Sequence, residues 1–540
     1  MKNLFKRRLP LVSVICLSLL VFTTATFAQD LDDVTISGKI VDTNNQPIVG
    51  AAVTATLIEI TVERTVTTNE DGRYRFVELQ PGTYAVKSAS PGFGTQEKTN
   101  LVTIAGQNVQ LDFSLSPAGV TAEQTITIEE DSSPVDTTRT VVGGTVTERE
   151  IEELPNNTRS PLDFVFTLGG VAEEPLSVRD AAEDRARTGG DSSNDPRPSP
   201  TEAGIFSLSG GAAYSNNLTI DGLDNNDDRL AQDRFQPSID SIAEVQVITN
   251  QFSAEYGRAS GGRVNLRTRG GTKNFRGRAY LYYRNDDLNA NTFNNNRRGL
   301  ERLPFTEYNP GFTFGGPIPF GYFKDKTFFF TAYEFNNLQD TTLIDTLVPV
   351  QQNPNFALPV SNGGAPRFEL PPSGFPNNPV AQFAPFTQTL ATPSRKHLFS
   401  TRIDHNFTDK HNVTFSFEYG TSRNTRQFRA ATSRLEETLL GPKRDTDAYK
   451  FTDNYVITSK LVNQFRFQFS RFEPTFVATN PLDPVVLITL ADTLSGDDSR
   501  CGTLIAGNST TASNFSFPGT RKETRYQFQE TLNAVTGKHS

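Results

Sequence analysis

Oxygen-bearing side chains suited to metal binding are concentrated in one short run, DGLDNNDD, from Asp221 to Asp228. Carboxylate and amide oxygens are the ligands that Ca²⁺ prefers. The spacing differs from that of an EF-hand loop, however, and clusters of Asp and Asn also form tight turns by bonding to their own backbone. A calcium site and a turn both stay open; we favour the turn and predict no metal.

Catalytic motifs are missing from the sequence. It contains no HExxH, CxxC, GxSxG or GxxxxGK[ST] pattern, and these would indicate zinc, redox, nucleophilic or phosphate chemistry. His405 and His411 flank a short turn, where we expect surface residues and not ligands. The other two histidines are His397 and His539. We predict that the protein is not an enzyme and has no catalytic residue and no cofactor.

The N-terminus predicts export. Four basic residues within positions 2–8 precede an apolar stretch at 9–22, and small residues end at Ala28. This pattern is typical of a signal peptide, residues 1–28, cleaved after Ala28; a retained anchor would need about 20 apolar residues.

The remaining chain has 48 Lys and Arg against 61 Asp and Glu, a net charge of −13, which argues against a nucleic-acid partner. Cys16 leaves with the signal, so Cys501 is the single thiol and an intramolecular disulfide is excluded.

Short alternating segments separated by turn residues fill residues 33–116. We predict strands at 34–41, 52–58, 64–68, 74–77, 82–89 and 108–115, which together indicate a small β-sandwich. The stretches SGKIVDTNNQPIVGAAVTA and TNEDGRYRFVELQPGTYAVKSASPGF resemble the carboxypeptidase-regulatory-like domain, which has a transthyretin-like fold. This resemblance implies an accessory periplasmic module without catalytic residues; a plain spacer is the alternative.

A second resemblance covers residues 217–277. NNLTIDGLDNNDD precedes a predicted strand at 242–249, and SAEYGRASGGRVNLRTRGGTKNFRG contains another at 262–268. This order resembles the plug domain of TonB-dependent outer-membrane receptors, especially the Oar-like subgroup, and implies an α+β plug over residues 120–272. A short helix at 148–153 fits this region, because Thr147 can cap it. The polar stretch 177–203 has no periodicity and predicts a loop.

A strand-like patch lies ahead of this plug, at Thr125, Ile126, Thr127 and Ile128. In the resembling family such a stretch is the TonB box, which adds as a strand to TonB through main-chain hydrogen bonds. Two interpretations stay open: a partner-binding site for TonB, or the first strand of the plug.

Strict alternation of apolar and polar residues begins at Phe275. Residues 399–407 and 413–419 alternate around a turn at 408–411, while long polar stretches occupy 339–394 and 472–521. Lipid outside and water inside a barrel produce this pattern, but a soluble antiparallel sandwich does too. The signal peptide and the plug resemblance favour the barrel. At roughly 22–25 residues per strand and connection, residues 275–540 predict about ten to twelve strands, whereas such a plug needs about 22; we therefore expect a truncated barrel.

The predicted fold is mainly β: a transthyretin-like β-sandwich, an α+β plug and a partial antiparallel transmembrane β-barrel. The resemblance implies a receptor that sits in the lipid of the outer membrane, binds an extracellular ligand and imports it with energy from TonB, ExbB and ExbD. The ligand is open, and a glycan, a peptide or another large solute would fit. The alternative is a surface adhesion or structural protein whose plug never moves.

Overall fold

The computed structural model describes residues 32–118, 124–127, 142–156, 158–173, 206–211, 215–228, 233–250, 257, 259–349, 383–425, 441, 443–458, 460–476, 486–487, 510–511 and 519–534. The predicted signal peptide with Ala28, the predicted loop at 177–203, Ile128, Cys501 and His539 lie outside these residues. Among the helices described, none has the length and apolar character needed to cross a membrane.

The first unit, which we call the sandwich, consists of two packed sheets. One sheet has the order β4-β1-β7 with β8 also paired to β1, and the other has the order β3-β2-β5-β6-β9. Alternate apolar side chains, such as Ile36 and Phe76, form its core. The strands are β1 (Val34–Asp42), β2 (Ala52–Leu57), β3 (Val62–Thr67), β4 (Arg73–Leu79), β5 (Thr83–Ala89), β6 (Gln96–Val102), β7 (Asn108–Gln110), β8 (Phe113–Leu115) and β9 (Gln124–Thr127).

Two strand predictions for the sandwich need correction. Strand β6 was not predicted, because its sequence QEKTNLV is polar over five residues and does not alternate. The strand predicted at 108–115 is split into β7 and β8, which pair in parallel with different parts of β1.

The second unit is built on a five-stranded sheet that we call the plug sheet, with the order β10-β15-β16-β13-β14. The antiparallel pair β15 and β16 corresponds to the strands predicted at 242–249 and 262–268. Strands β11 and β12 form a separate pair. The strands are β10 (Val142–Val146), β11 (Val171–Glu173), β12 (Phe206–Leu208), β13 (Asn216–Ile220), β14 (Leu223–Asp224), β15 (Ile242–Asn250) and β16 (Gly262–Thr268).

One helix, α1 (Glu148–Glu153), packs against β15 and was predicted correctly. Thr147 caps it: the Thr147 hydroxyl accepts from the Glu150 amide while the Glu150 carboxylate accepts from the Thr147 amide at 2.8 Å. This capping box satisfies two amides that a helix start otherwise leaves without partners. Short 3₁₀ turns occupy Pro161–Thr167 and Ile239–Ser241.

The third unit is an antiparallel sheet of nine described strands, which we call the wall. Its order is β17-β18-β19-β22-β23-β24-β25-β28, with β29 also on β25, while β20 with β21 and β26 with β27 form separate hairpins. The helix α2 (Phe293–Arg298) and 3₁₀ turns at Asp286–Leu288 and Gly321–Phe323 lie in its connections. The strands are β17 (Arg276–Asn285), β18 (Thr306–Pro317), β19 (Thr327–Gln339), β20 (Thr341–Pro349), β21 (Phe383–Ala391), β22 (Ser394–Thr408), β23 (His411–Asn424), β24 (Lys443–Thr458), β25 (Leu461–Phe476), β26 (Val486–Leu487), β27 (Thr510–Thr511), β28 (Gly519–Thr520) and β29 (Glu523–Ala534).

The wall has nine strands among the residues that the structure describes, against the ten to twelve predicted for the whole of residues 275–540. Several of its connections are longer than a uniform spacing allows. The connection from β19 to β22 alone contains the hairpin of β20 and β21. Turns at one end of the wall are short, such as Thr408 to His411, and connections at the other end are long. That asymmetry is typical of outer-membrane barrels, whose long loops are extracellular.

Alternation along the wall strands separates two faces, as predicted. On the outer face, aromatic rings form a row across neighbouring strands: Phe417 lies 4.8 Å from Tyr449, and Phe469 lies 5.2 Å from Tyr526, between ring centroids. On the inner face, polar side chains such as Gln468 are buried. Lipid against one face and the plug against the other account for this division.

The predicted surface position of His405 is wrong. Only 8% of this residue is exposed, because Tyr322, Phe323 and Phe407 surround the ring and its Nδ1 is hydrogen bonded to Thr327 at 2.7 Å. His411 is partly exposed, and its Nε2 lies 2.7 Å from a carboxylate oxygen of Asp453.

Candidate functional site between plug and wall

The DGLDNNDD run begins with a left-handed turn, since Asp221 has φ 51° and Gly222 has φ 78°. The Asp221 carboxylate accepts from the amide and the hydroxyl of Thr268, at 2.9 and 2.8 Å. A β-carbon at position 222 would lie 2.5 Å from Nη1 of Arg466 and 2.6 Å from a carboxylate oxygen of Asp32. Glycine is required here both by the backbone conformation and by an ion pair that packs against it.

That ion pair belongs to a three-way junction centred on Asp32. One Asp32 oxygen accepts from Arg263 of β16 at 2.8 Å, and the other accepts from Arg466 of β25 at 2.9 Å. All three side chains are buried. Burial raises the pKa of the Asp32 carboxyl, but the charges of the two arginines and their hydrogen bonds outweigh it and hold that pKa below its ordinary value. The carboxylate therefore stays ionised and joins the plug sheet to the wall.

Strand β25 faces the sandwich and the plug with every second side chain. Gln464 donates to Asp33 beside the sandwich at 2.7 Å, and Gln468 donates to the backbone oxygen of Asp224 in the plug at 2.8 Å. Two residues further along β25, Ser470 accepts from Arg234 at 3.3 Å. The phenylalanines between these positions face outward, so one strand has apolar rings on its outer face and a row of polar groups on its inner face.

The carboxylates of the DGLDNNDD run bind arginines. Asp227, buried beneath the wall, accepts from Arg521 at 2.6 Å, and both Asp224 and Asp228 form ion pairs with Arg525. Among the residues that the structure describes, no group of three or more His, Cys, Asp or Glu is arranged to hold a metal ion. The run is thus a turn whose charges connect plug and wall, and the calcium interpretation loses its support.

A second anchor lies on the opposite side of the plug, at Arg159. Its Nε and Nη2 donate to the two oxygens of Glu334 in β19, at 3.1 and 2.7 Å, and it also pairs with Asp240. The guanidinium lies 4.0 Å from the ring centroid of Tyr282. A two-point ion pair over an aromatic ring fixes both the position and the orientation of the arginine.

A third anchor is the ion pair between Lys450 of β24 and Glu418 of β23, at 2.7 Å. Both side chains are buried, at 5% and 3% exposure, and Lys450 also donates to the backbone oxygen of Ile220 at 3.4 Å. Removing one member of such a buried pair costs about 3–5 kcal/mol, because the partner charge is left in a medium that solvates it poorly. The plug is thus held by a few discrete polar contacts.

Comparison with known proteins identifies the family to which the chain belongs. The family described as "Outer membrane beta barrel domain" matches residues 267–540, just over half of the chain. The chain belongs to this outer-membrane β-barrel family. The wall is therefore a barrel wall, and the protein is located in the outer membrane. The family described as "Carboxypeptidase regulatory-like domain" matches residues 35–116, which confirms the resemblance noted for the sandwich.

Among individual proteins, the chain is similar to the TonB-dependent transporter Oar of Myxococcus xanthus, with 26% identity over 340 residues. This match covers 61% of the chain and 29% of Oar, so the chain spans less than a third of that relative. Two solved structures are also similar: the outer membrane transporter YddB of Escherichia coli and a ferric enterobactin receptor of Pseudomonas aeruginosa. YddB is 13% identical with a TM-score of 0.47 over 73% of this chain and 45% of that chain, and the receptor is 11% identical with a TM-score of 0.41 over 73% and 46%.

The segment predicted as a TonB-box-like site lies on the sandwich in this barrel protein. Residues Gln124–Thr127 form β9, which pairs in parallel with β6: Glu97 lies opposite Thr125, and Lys98 lies opposite Ile126. The alternative interpretation, that the segment is the first plug strand, needs correction, because the plug sheet begins with β10. Strand β9 is therefore an edge strand of the sandwich and not a strand of the plug sheet.

The sandwich docks against the end of the barrel wall where the turns are short. Phe328 of β19 belongs to the apolar core cluster of the sandwich and is 2% exposed. The backbone of Ala105 is also tied to β15: its amide donates to Glu244 at 3.0 Å, and its oxygen accepts from Gln246 at 2.9 Å. The sandwich thus contacts the plug and the barrel wall together.

Sequence reasoning missed the residues that form these anchors, namely Asp32, Arg159, Glu334 and Arg466. One signal was available, since an alternating strand such as Phe465 to Phe469 places its polar residues toward the lumen. The partner of each such residue was not predictable, because Asp32 and Arg466 are 434 positions apart.

Proposed function

We propose that the protein is a TonB-dependent outer-membrane receptor that binds an extracellular ligand and imports it through the plugged barrel. The nature of the boundary between plug and wall carries this proposal. The plug has its own apolar core, which includes Leu218, Val245 and Val264, and among the wall residues that the structure describes the apolar side chain that packs against this core is Leu398. The anchors described above between plug and wall are polar. Water can replace polar contacts at far lower cost than it can cover an exposed apolar core, so the plug can separate from the wall as a unit.

The energy for this movement would come from TonB with ExbB and ExbD. We propose Thr125, Ile126, Thr127 and Ile128 as the segment that TonB binds by strand addition. The extended backbone of β9, already hydrogen bonded to a neighbouring strand, supports its ability to pair in this way. The similarity to the transporter Oar supports the same function.

The ligand class remains broad. A large solute such as a glycan or a peptide fits an exported receptor with an added sandwich. It would bind at the long connections, which lie at the extracellular end of the wall. This part of the proposal rests on analogy between folds.

A binding experiment tests the role of TonB. The chain in outer-membrane vesicles, with Cys501→Ser and Thr127→Cys, is mixed with the purified periplasmic domain of TonB carrying single cysteines, and disulfide-linked complexes are counted. We expect complexes with the parent chain, none with Ile126→Pro, and normal yield with Ile126→Val, because proline removes a backbone donor while valine keeps it. Equal yields from Ile126→Pro and Ile126→Val would contradict strand addition.

The number of buried ion pairs also favours a rival function, a surface adhesion or structural protein with a static plug. Arg159 and Asp32 each have a buried ion-pair partner in the wall, which suits a plug that stays in place. An adhesin would bind its surface equally well with Ile126→Pro and Ile126→Val. A receptor would lose accumulation of labelled peptides or glycans in cells with Ile126→Pro while keeping surface binding.

A further inference from the structure

Asp32 is placed so that three units of the protein share one carboxylate. It lies two residues before Val34, which is fully buried in the sandwich core. Its neighbour Asp33 is tied to the sandwich as well, because the Asp33 backbone oxygen accepts from the amide of Gly106 at 3.1 Å. Two residues of chain span about 7 Å at most. Asp32 therefore follows any larger displacement of the sandwich.

The two arginines that Asp32 contacts belong to different units, Arg263 to the plug sheet and Arg466 to the barrel wall. Each bonds a different oxygen of the same carboxylate, at 2.8 and 2.9 Å. With Asp32 in place, a negative charge lies between two positive charges. When Asp32 is withdrawn, Arg263 and Arg466 each lose an ion-pair partner in a buried, weakly screened environment, and the bridge between them is broken.

We propose that Asp32 couples docking of the sandwich to retention of the plug, so that undocking the sandwich loosens the plug from the barrel wall. The inference rests on the proposed function in one respect, namely that the plug has to move. The coupling has a defined direction. Displacing the sandwich removes the shared carboxylate and with it the bridge that it forms between β16 and β25.

The position of β9 shows where an external force could act on this coupling. Residues Gln124–Thr127 are paired with β6 of the sandwich, so a pull on this segment acts on the sandwich before it acts on the plug. The sandwich leaves, Asp32 leaves with it, and the bridge between Arg263 and Arg466 is broken. Movement of the sandwich is thereby converted into release of the plug.

The matched pair Asp32→Asn and Asp33→Asn tests the proposal, because the two residues are neighbours with different partners. The Asp33 carboxylate accepts from Gln464 and Arg466, at 2.7 and 3.2 Å, and both of these donors belong to the wall. Sandwich docking is followed by thiol labelling of Ala105→Cys in a Cys501→Ser chain, since Ala105 is 1% exposed. Plug retention is followed by amide hydrogen exchange of β16 in outer-membrane vesicles.

We expect Asp32→Asn to raise both thiol labelling and β16 exchange, the latter about tenfold or more because a buried charge is removed. We expect Asp33→Asn to raise labelling while β16 exchange stays within about twofold of the parent chain. Normal exchange of β22 and β23 confirms that the wall is intact. If Asp32→Asn leaves β16 exchange unchanged, or if both variants raise it equally, the proposal is overturned.

A crosslinked chain separates the role of the carboxylate from that of the other docking contacts. Glu78 of the sandwich is hydrogen bonded to Asn533 of β29, so Glu78→Cys and Asn533→Cys joined by a thiol crosslinker hold the sandwich in place. With the sandwich held, Asp32→Asn should still raise β16 exchange. Full restoration of protection by the crosslink would show that other contacts carry the coupling. Neither readout involves TonB, so failure of TonB binding would overturn the proposed function and leave this result standing.

Discussion

Arg159 and Glu334 form a two-point ion pair across the boundary between plug and barrel wall, with donor to acceptor distances of 3.1 and 2.7 Å. The carboxylate of Glu334 also accepts from Ser238 at 2.8 Å and from Tyr280 at 3.0 Å. One wall residue of β19 thus collects donors from the plug and from β17, two strands away in the wall. Its contacts define where that side of the plug sits.

Replacing Arg159 should destabilise this side of the plug. Arg159→Ala leaves Glu334 buried without its counter-charge, while Asp240 keeps its ion pair with Arg278, and we expect a loss of about 3–5 kcal/mol in the free energy that holds the plug. The exposed pair Arg423 and Asp445 provides the control, since Arg423→Ala should cost about 1 kcal/mol or less. Hydrogen exchange of the 3₁₀ turn Pro161–Thr167 measures the first effect and exchange of β23 the second. Equal costs for the two variants would contradict the anchor.

Gly222 should tolerate no side chain, whereas Gly210 should tolerate alanine better. Both glycines have left-handed backbones, with φ of 78° and 72°, but a β-carbon at Gly210 would meet no atom within 4 Å. We expect Gly210→Ala to cost about 1–2 kcal/mol from backbone strain alone. Gly222→Ala should cost more, because it also displaces Arg466 and Asp32. The measurement is hydrogen exchange of the plug sheet, and similar costs at the two positions would show that the ion pair moves aside freely.

Acid should loosen the junction at Asp32. In the folded protein, the pKa of the Asp32 carboxyl lies below its ordinary value of 3.8. The ionised carboxylate therefore contributes its full stabilisation above pH 3.8, and this stabilisation is lost as the pH falls through the pKa of the folded protein. We expect labelling of Ala105→Cys by a dipyridyl disulfide, a reagent that protonation activates and that therefore reacts with thiols in acid, to rise as the pH falls below about 3.8, relative to a fully exposed thiol at the same pH. Asp32→Asn should show high labelling at neutral pH already and a flatter response to acid. If the labelling of Asp32→Asn responded to acid in the same way as that of the parent chain, the acid effect would come from other carboxylates.

Phe328 should be required for docking of the sandwich. Because it is 2% exposed and packs in the sandwich core cluster, Phe328→Ala should cost about 3 kcal/mol or more through loss of buried area and the cavity left behind. Phe320, at the same end of the wall and 68% exposed, is the control, and Phe320→Ala should leave docking unchanged. Labelling of Ala105→Cys distinguishes the two. Unchanged labelling in Phe328→Ala would show that polar contacts alone hold the sandwich.

Local features of the fold were predictable where the sequence repeats a simple period. The alternation at 399–407 predicted β22 and its two faces, and Thr147 with Glu150 predicted the start of α1. Strand β6 escaped prediction because its pairing with β5 and β9, and not its own pattern, keeps it extended.

The candidate site was predictable only in part. The turn at Asp221 and Gly222 was expected from residue types, but the role of its charges was not, because Arg521 and Arg525 lie about 300 positions away. Asp32 gave no signal at all, since one acidic residue after an export signal is unremarkable in an acidic chain. Which charges meet inside the barrel is decided by tertiary packing, and a single sequence does not contain that information in readable form.

The parallel pairing of β9 with β6 also determines how that contact responds to tension. Four pairs, from Gln96 with Gln124 to Thr99 with Thr127, run side by side in the same direction. Tension along the strand axis strains all four pairs at once, which is a shear geometry, whereas sideways tension would peel them apart one after another. A contact loaded in shear withstands more force than one that is peeled, so β9 can transmit a pull to the sandwich as a whole before its own pairing with β6 fails.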